Sequence, residues 1–195
     1  MDKISYALGL SIGNNLQSSG IDKINSDDFI RGLSHVLNNE KPEISYDEAK
    51  DVLNDFFSKL QEEKLTLNEK AGKEFLSINK TKDGVVELPS GLQYQILTKG
   101  TGAKPIATDK VKCHYHGTLI DGTVFDSSVQ RGEPAVFGVS QVIQGWVEAL
   151  QLMETGSKWR LFIPSNLAYG QRGSGGAIEP NSTLIFEVEL IEIVK

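Results

Sequence analysis

Apolar residues recur at three- and four-residue spacing through the first part of the chain and at two-residue spacing through the rest. Ile4, Ala7, Leu8, Ile12 and Leu16 mark a helix that ends before Ser18-Ser19-Gly20. Ser26 is placed to cap a second helix, whose apolar stripe is Phe29/Ile30, Leu33, Val36 and Leu37. Ser45-Tyr46-Asp47-Glu48 has the form of a capping box and opens a third. In that third helix Ala49, Val52/Leu53, Phe56/Phe57, Leu60, Leu67, Ala71 and Phe75/Leu76 keep helical spacing to about Asn79, with Gly84 as a plausible stop. Such a helix would run roughly 50 Å at 1.5 Å per residue. Its second half carries Glu62-Glu63-Lys64, Glu69-Lys70 and Lys73-Glu74, which reads as a solvated stalk.

Beyond residue 84 the period changes. Leu92, Tyr94 and Ile96 alternate with polar neighbours, as do Val111, Cys113 and Tyr115. Asp121-Gly122 is a tight turn joining strands over 117–120 and 123–125. Further strands are expected over 136–139, 158–163 and 183–194, with Glu187 and Glu189 reading as an exposed edge. Helical spacing returns only at 142–152, where Val142, Trp146, Ala149 and Leu150 lie on or near one face. Pro42 is the only proline in the first part, and most glycines and β-branched residues follow residue 84. The pattern predicts an α+β protein: an all-α domain with a stalk helix over 1–84, then an antiparallel sheet wrapped over one short helix over 85–195.

Two short helices and one long one cannot bury their own stripes, and the polar stalk argues against close packing on the second domain. A symmetric homodimer through residues 1–60 is expected, with a monomeric helical extension as the alternative.

Composition narrows the function. A net charge of −6 repels phosphate backbones and makes nucleic acid an unlikely primary partner. No run of apolar residues approaches the roughly 20 needed for a membrane span. The N-terminus shows no secretory signal and Cys113 is the single cysteine, so a cytoplasmic setting is expected, or a periplasmic or exported one if a presequence was removed. His114 and His116 share one strand face without a nearby third ligand, and no metal or cofactor is implied. Gly100-Thr101-Gly102 and Gly173-Ser174-Gly175-Gly176 are weak as phosphate loops, since neither leads from a strand into an evident helix with a following lysine, and no nucleophile elbow is recognisable.

The blocks His114-Tyr115-His116-Gly117, Asp121-Gly122-Thr123-Val124-Phe125-Asp126-Ser127-Ser128, Val142-Ile143-Gln144-Gly145-Trp146, Leu167-Ala168-Tyr169-Gly170 and 183–190 resemble, in order and spacing, the FKBP-type peptidyl-prolyl cis-trans isomerases. The helical part is similar to the dimerisation domain of the bacterial two-domain subgroup, which includes the macrophage infectivity potentiator proteins. The resemblance implies an FKBP-like half-barrel that accelerates X–Pro isomerisation in proline-containing unfolded polypeptides, and binding of macrolide inhibitors. The chemistry is self-consistent. The planar amide resists rotation by about 18–20 kcal/mol, and a dry apolar cavity favours the less polar twisted amide without a nucleophile.

The same resemblance implies a floor at Trp146 and walls of Tyr115, Phe125, Phe137, Val142, Ile143 and Phe186. Tyr169 would donate to a substrate carbonyl, Asp126 would sit at the rim, and Arg131 would hold Asp126 and Tyr115 in place. The backbone N–H of Ile178 would be a second donor to the bound chain. Taken one at a time, Trp146 and Phe186 read equally well as core residues and Asp126 as a turn cap. Ala135 and Ser174-Gly175-Gly176-Ala177 are smaller than many family members carry, which implies a more open rim and a mobile loop over 171–179. Two dimerised domains on long arms would clamp one unfolded chain. The rival reading is a non-catalytic peptide-binding module or holdase chaperone that uses the same pocket or the dimer cleft.

Overall fold

Helix caps and strand alternation divide the chain much as its periodicity predicts. A computed structural model describes residues 1–194. It contains α1 (Lys3–Ser18), α2 (Ser26–Leu37) and α3 (Tyr46–Asn79), followed by β1 (Val85–Glu87), β2 (Gln93–Thr98), β3 (Lys110–Leu119), β4 (Val124–Ser127), α4 (Ser128–Arg131), β5 (Ala135–Gly138), α5 (Gln144–Leu152), β6 (Lys158–Ile163) and β7 (Leu184–Val194). Ser45 caps α3 by accepting from the Glu48 N–H at 3.1 Å. The cap of α2 is Asn25 rather than Ser26: its Oδ1 accepts from the Asp27 and Asp28 N–H groups, a role for which Asn is at least as well suited as Ser.

Two compact units emerge, Met1–Leu60 and Gln61–Lys195. In the first unit no residue of α1 or α2 is buried, and the stripes carrying Ile4, Leu8, Ile30, Leu33 and Val36 stand in solvent.

The second unit takes in the latter half of α3, and here the expected solvated stalk is corrected. Gly72 and Asn79 are buried, and Lys64, Leu65, Asn68, Phe75 and Leu76 are half-buried along the same face. Phe75 packs on Phe162 with ring centroids 6.0 Å apart. Asn79 donates to Gln93 Oε1 at 2.9 Å, and Gln93 Nε2 donates back to the Leu76 carbonyl at 2.9 Å. The stripe 65, 68, 72, 75/76, 79 contains two asparagines and a glycine, so hydrophobicity alone does not reveal it. Leu67 and Ala71, read as part of the apolar face, point outward. Lys64 apart, the charged residues of this segment are exposed.

All strand pairs are antiparallel, in the order β1-β2-β6-β7-β3-β4, with β5 also pairing β3. The long β3–β7 ladder runs from Lys110 opposite Val194 to Leu119 opposite Leu184, with a bulge between Lys112 and Cys113. Alternation sends Val111, Cys113 and Tyr115 inward from β3, and Leu184, Phe186, Val188 and Leu190 from β7, against Trp146, Ala149 and Leu150 of α5. Burial pushes the Cys113 thiol up to about 12, so it behaves as a small core hydrophobe. On β6 the alternation fails: Phe162 is buried between Leu161 and Ile163 because Phe75 covers the outer face there.

β7 is central, so Glu187 and Glu189 do not lie on an edge as expected. Glu187 sits on the outer face, paired with Lys158 at 2.9 Å and Arg160 at 2.6 Å. Those partners, led by the Arg160 hydrogen bond, hold its carboxyl below the usual range. His114 and His116 also face outward, where their Nδ1 atoms lie 3.1 Å from Ser128 Oγ and 2.9 Å from Ser127 Oγ.

Candidate functional site

Six segments that the sequence keeps apart meet at one cavity of about 930 Å³. β3 brings Tyr115, β4 brings Phe125 and Asp126, and β5 brings Phe137. The start of α5, with the residues just before it, brings Val142, Ile143 and Trp146. β7 brings Phe186, and the loop after β6 brings Tyr169 and residues 174–178. The expected floor Trp146, the six expected walls, Asp126, Tyr169 and Ile178 all line this space. Arg131 does not line it; its part is to contact residues that do.

Trp146 is the hub. Its ring makes near-perpendicular contacts with Phe186 at 5.2 Å, Tyr115 at 5.6 Å and Phe137 at 5.7 Å, and Phe125 stands edge-on to Phe186 at 5.3 Å. Edge-to-face contacts of this kind add about 0.5–1.5 kcal/mol each beyond burial. Among the described residues the buried indole N–H has no nitrogen or oxygen partner. Gly117 makes the close packing possible: a Cβ there would stand 2.7 Å from atoms of both Phe125 and Phe186.

At the rim the polar groups form a closed set. Tyr115 Oη donates to Asp126 Oδ2 at 2.6 Å, Arg131 pairs with the other carboxylate oxygen, and Arg131 Nη2 donates to Tyr115 Oη at 2.7 Å. The guanidinium also lies over the Tyr115 ring, 5.5 Å from its centroid. Partial burial alone would raise the Asp126 pKa, but the hydrogen bonds from Tyr115 and Arg131 and the Arg131 charge outweigh it and leave the carboxyl below its ordinary range. Tyr115 is shifted the other way, by burial first and then by its bond to Asp126. The site therefore holds a fixed carboxylate and a neutral phenol at working pH.

Tyr169 is 39% exposed and its hydroxyl makes no hydrogen bond among the described residues, so it is free to meet a ligand. The Ile178 N–H is not free: it donates to the Gly175 carbonyl at 3.3 Å, a long bond that a bound chain could exchange. Gln141 also lines the cavity and was not anticipated. It ends a single 3₁₀ turn (Val139–Gln141) ahead of Val142, and no spacing rule marks such a position. Ala135 lies on β5 beside the core and does not line the cavity.

Residues 102–191 match the family model of the FKBP-type peptidyl-prolyl cis-trans isomerase, and residues 1–96 match that of the domain amino terminal to FKBP-type peptidyl-prolyl isomerase. The chain is 49% identical over its whole length to the outer membrane protein MIP of Legionella longbeachae, spanning 86% of that protein. It is 45% identical to the FKBP-type 22 kDa peptidyl-prolyl cis-trans isomerase of Escherichia coli K12, with 97% of this chain and 94% of that protein aligned. The crystal structure of FkpA from Escherichia coli superposes with a TM-score of 0.79 at 37% identity, covering 98% of this chain and 95% of the other.

Proposed function

This chain belongs to the FKBP-type peptidyl-prolyl cis-trans isomerases, and from that premise we propose how its own residues divide the work. It accelerates X–Pro isomerisation in proline-containing peptides. The bond is rotated and never broken, so the task is to favour the twisted amide over the planar one.

Trp146 is the floor on which the prolyl ring rests, enclosed by Tyr115, Phe125, Phe137, Val142, Ile143 and Phe186. The observation that carries this is the cluster of rings packed edge-to-face around the buried Trp146. Water stabilises the more polar planar amide, and excluding it lowers the barrier. Tyr169 donates its proton to a carbonyl of the bound chain, and the Ile178 N–H joins once Gly175 releases it. Asp126 is the rim acceptor, while Arg131 and Tyr115 position it. The test is proline-peptide isomerisation by wild type, Asp126→Ala and Tyr169→Phe. Turnover that falls in both variants supports these roles. A wild-type protein that binds proline peptides without turnover would instead be the non-catalytic module.

The first unit is proposed to form a symmetric homodimer, because helices that bury nothing are not stable as a lone unit. Two sites on one dimer would hold an unfolded chain at two points and raise the local concentration of its prolines. A monomeric variant with full activity on short peptides but reduced activity on a refolding protein supports that clamp and a chaperone role. Equal refolding activity removes it.

Macrolide inhibitors would enter the same cavity, and the small rim at Ser174-Gly175-Gly176-Ala177 gives them less to grip than a bulkier one. Among the described residues no helix is long and apolar enough to cross a membrane. The cytoplasmic expectation has no support among the relatives. The name of the Legionella protein favours an envelope location, which fractionation of expressing cells tests.

A further inference from the structure

We propose that the latter half of α3 is a positioning element for the isomerase site: Lys64 and Asn68, which do not line the cavity, hold the loop that forms its rim. This rests on the isomerase reading above. The loop contributes residues 174–178 to the cavity wall. Left to itself it has few bonds of ordinary length, Ser174 N–H to the Ile178 carbonyl at 3.0 Å and Asn181 N–H to the Gly170 carbonyl at 2.8 Å. Gly170, Gly173, Gly175 and Gly176 all sit at positive φ, and such glycines lose the most conformational freedom on ordering. Residues 174–177 are exposed, and two of the loop's internal bonds are long: Gly173 N–H to Gly170 O at 3.4 Å and Ile178 N–H to Gly175 O at 3.3 Å.

The hydrogen bonds that reach this loop from outside it fall on the three residues after Ile178, and they come from a single turn of α3. Lys64 Nζ reaches Glu179 Oε1 at 2.7 Å. Asn68 Nδ2 donates to the Pro180 carbonyl at 2.9 Å and lies 3.3 Å from the other Glu179 oxygen. Asn181 Nδ2 donates back to the Leu65 carbonyl at 3.2 Å. The Lys64 hydrogen bond leads the causes that hold the Glu179 carboxyl below its usual range.

The helix can act as an anchor because its own seat is fixed further along. Asn79 and Leu76 bond to Gln93, Phe75 packs on Phe162, and Gly72 lies against Thr183, whose Oγ1 would collide with any Cβ at that position. These contacts set where Lys64 and Asn68 stand, and so where residues 179–181 stand. The rim that closes over a bound peptide is thereby built partly from a helix the cavity never touches.

The experiment uses the full chain carrying Lys64→Glu, Glu179→Lys, both together, and separately Gly72→Leu. Michaelis parameters on a short proline peptide are read beside amide hydrogen exchange over residues 174–178. Each single charge variant should raise KM by about threefold to fivefold, the range an exposed ion pair supports, with kcat little changed. Their exchange should quicken, and the double variant should recover both readouts. Gly72→Leu should reproduce the single-variant pattern without altering any loop or cavity residue. Unchanged KM and exchange in the singles, or a defect that the charge swap does not repair, overturns the proposal. If the wild-type protein showed no turnover, the isomerase reading would fail instead, and the exchange data alone would still decide whether the helix holds the loop.

Discussion

Arg131 stands outside the cavity yet fixes two groups that border it, which makes the Asp126 carboxylate the most informative single position. Its folded pKa lies below the ordinary value of 3.8, so the unfolded chain binds the proton more readily. The sign follows: its stabilising contribution is complete above the unfolded value and is lost as pH falls through the folded one. Peptide isomerisation should therefore be insensitive to this group from pH 7 to about 5 and decline only in the acid range below about 4, checked by a pH profile beside NMR titration of Asp126. Asp126→Asn removes the charge at near-constant volume and should lower kcat/KM by about fivefold, since the pair with Arg131 is half-exposed and screened. Gly117 acts by absence. Gly117→Ala should cost about 1–3 kcal/mol in urea unfolding, because the new methyl would need Phe125 and Phe186 to move together.

Helix α3 is one element serving two units. A chain beginning at Gln61 should retain cooperative unfolding, whereas one beginning at Val85 uncovers Phe162 and strips Gln93 of its Asn79 and Leu76 partners. We expect the shorter chain to be less stable by about 3–5 kcal/mol, from one half-buried aromatic contact and one buried polar pair, measured by denaturant titration of both. Periodicity revealed the helix and its length because leucines and phenylalanines mark turns. It did not reveal the face that packs, since Asn68, Gly72 and Asn79 count as polar or neutral while fitting a surface made of carbonyls, amides and a threonine. The sheet was legible for the opposite reason: Val111, Cys113 and the Tyr115 ring pack into an apolar core. The cavity residues were legible through their ordered blocks. Gln141 was not, because a single 3₁₀ turn leaves no repeat to read. Phe162 departs from strand alternation only because a helix distant in sequence lies over it.

For the molecule as a whole, the uncovered stripes of α1 and α2 predict a solution mass near twice the 21.4 kDa chain. Leu33→Glu with Phe56→Glu should give a monomer that loses much of its helical signal, because folding and association of the first unit are then one event. Sedimentation and circular dichroism at matched concentration check both halves of that expectation. The second unit carries its own reporter. The sole sulfhydryl of the chain lies at zero exposure on its longest strand ladder. A maleimide or disulfide reagent would therefore find nothing to modify until that ladder parts. Its labelling rate becomes a clock for how often the catalytic half breathes open, readable in a crowded lysate without tagging or mutating the protein.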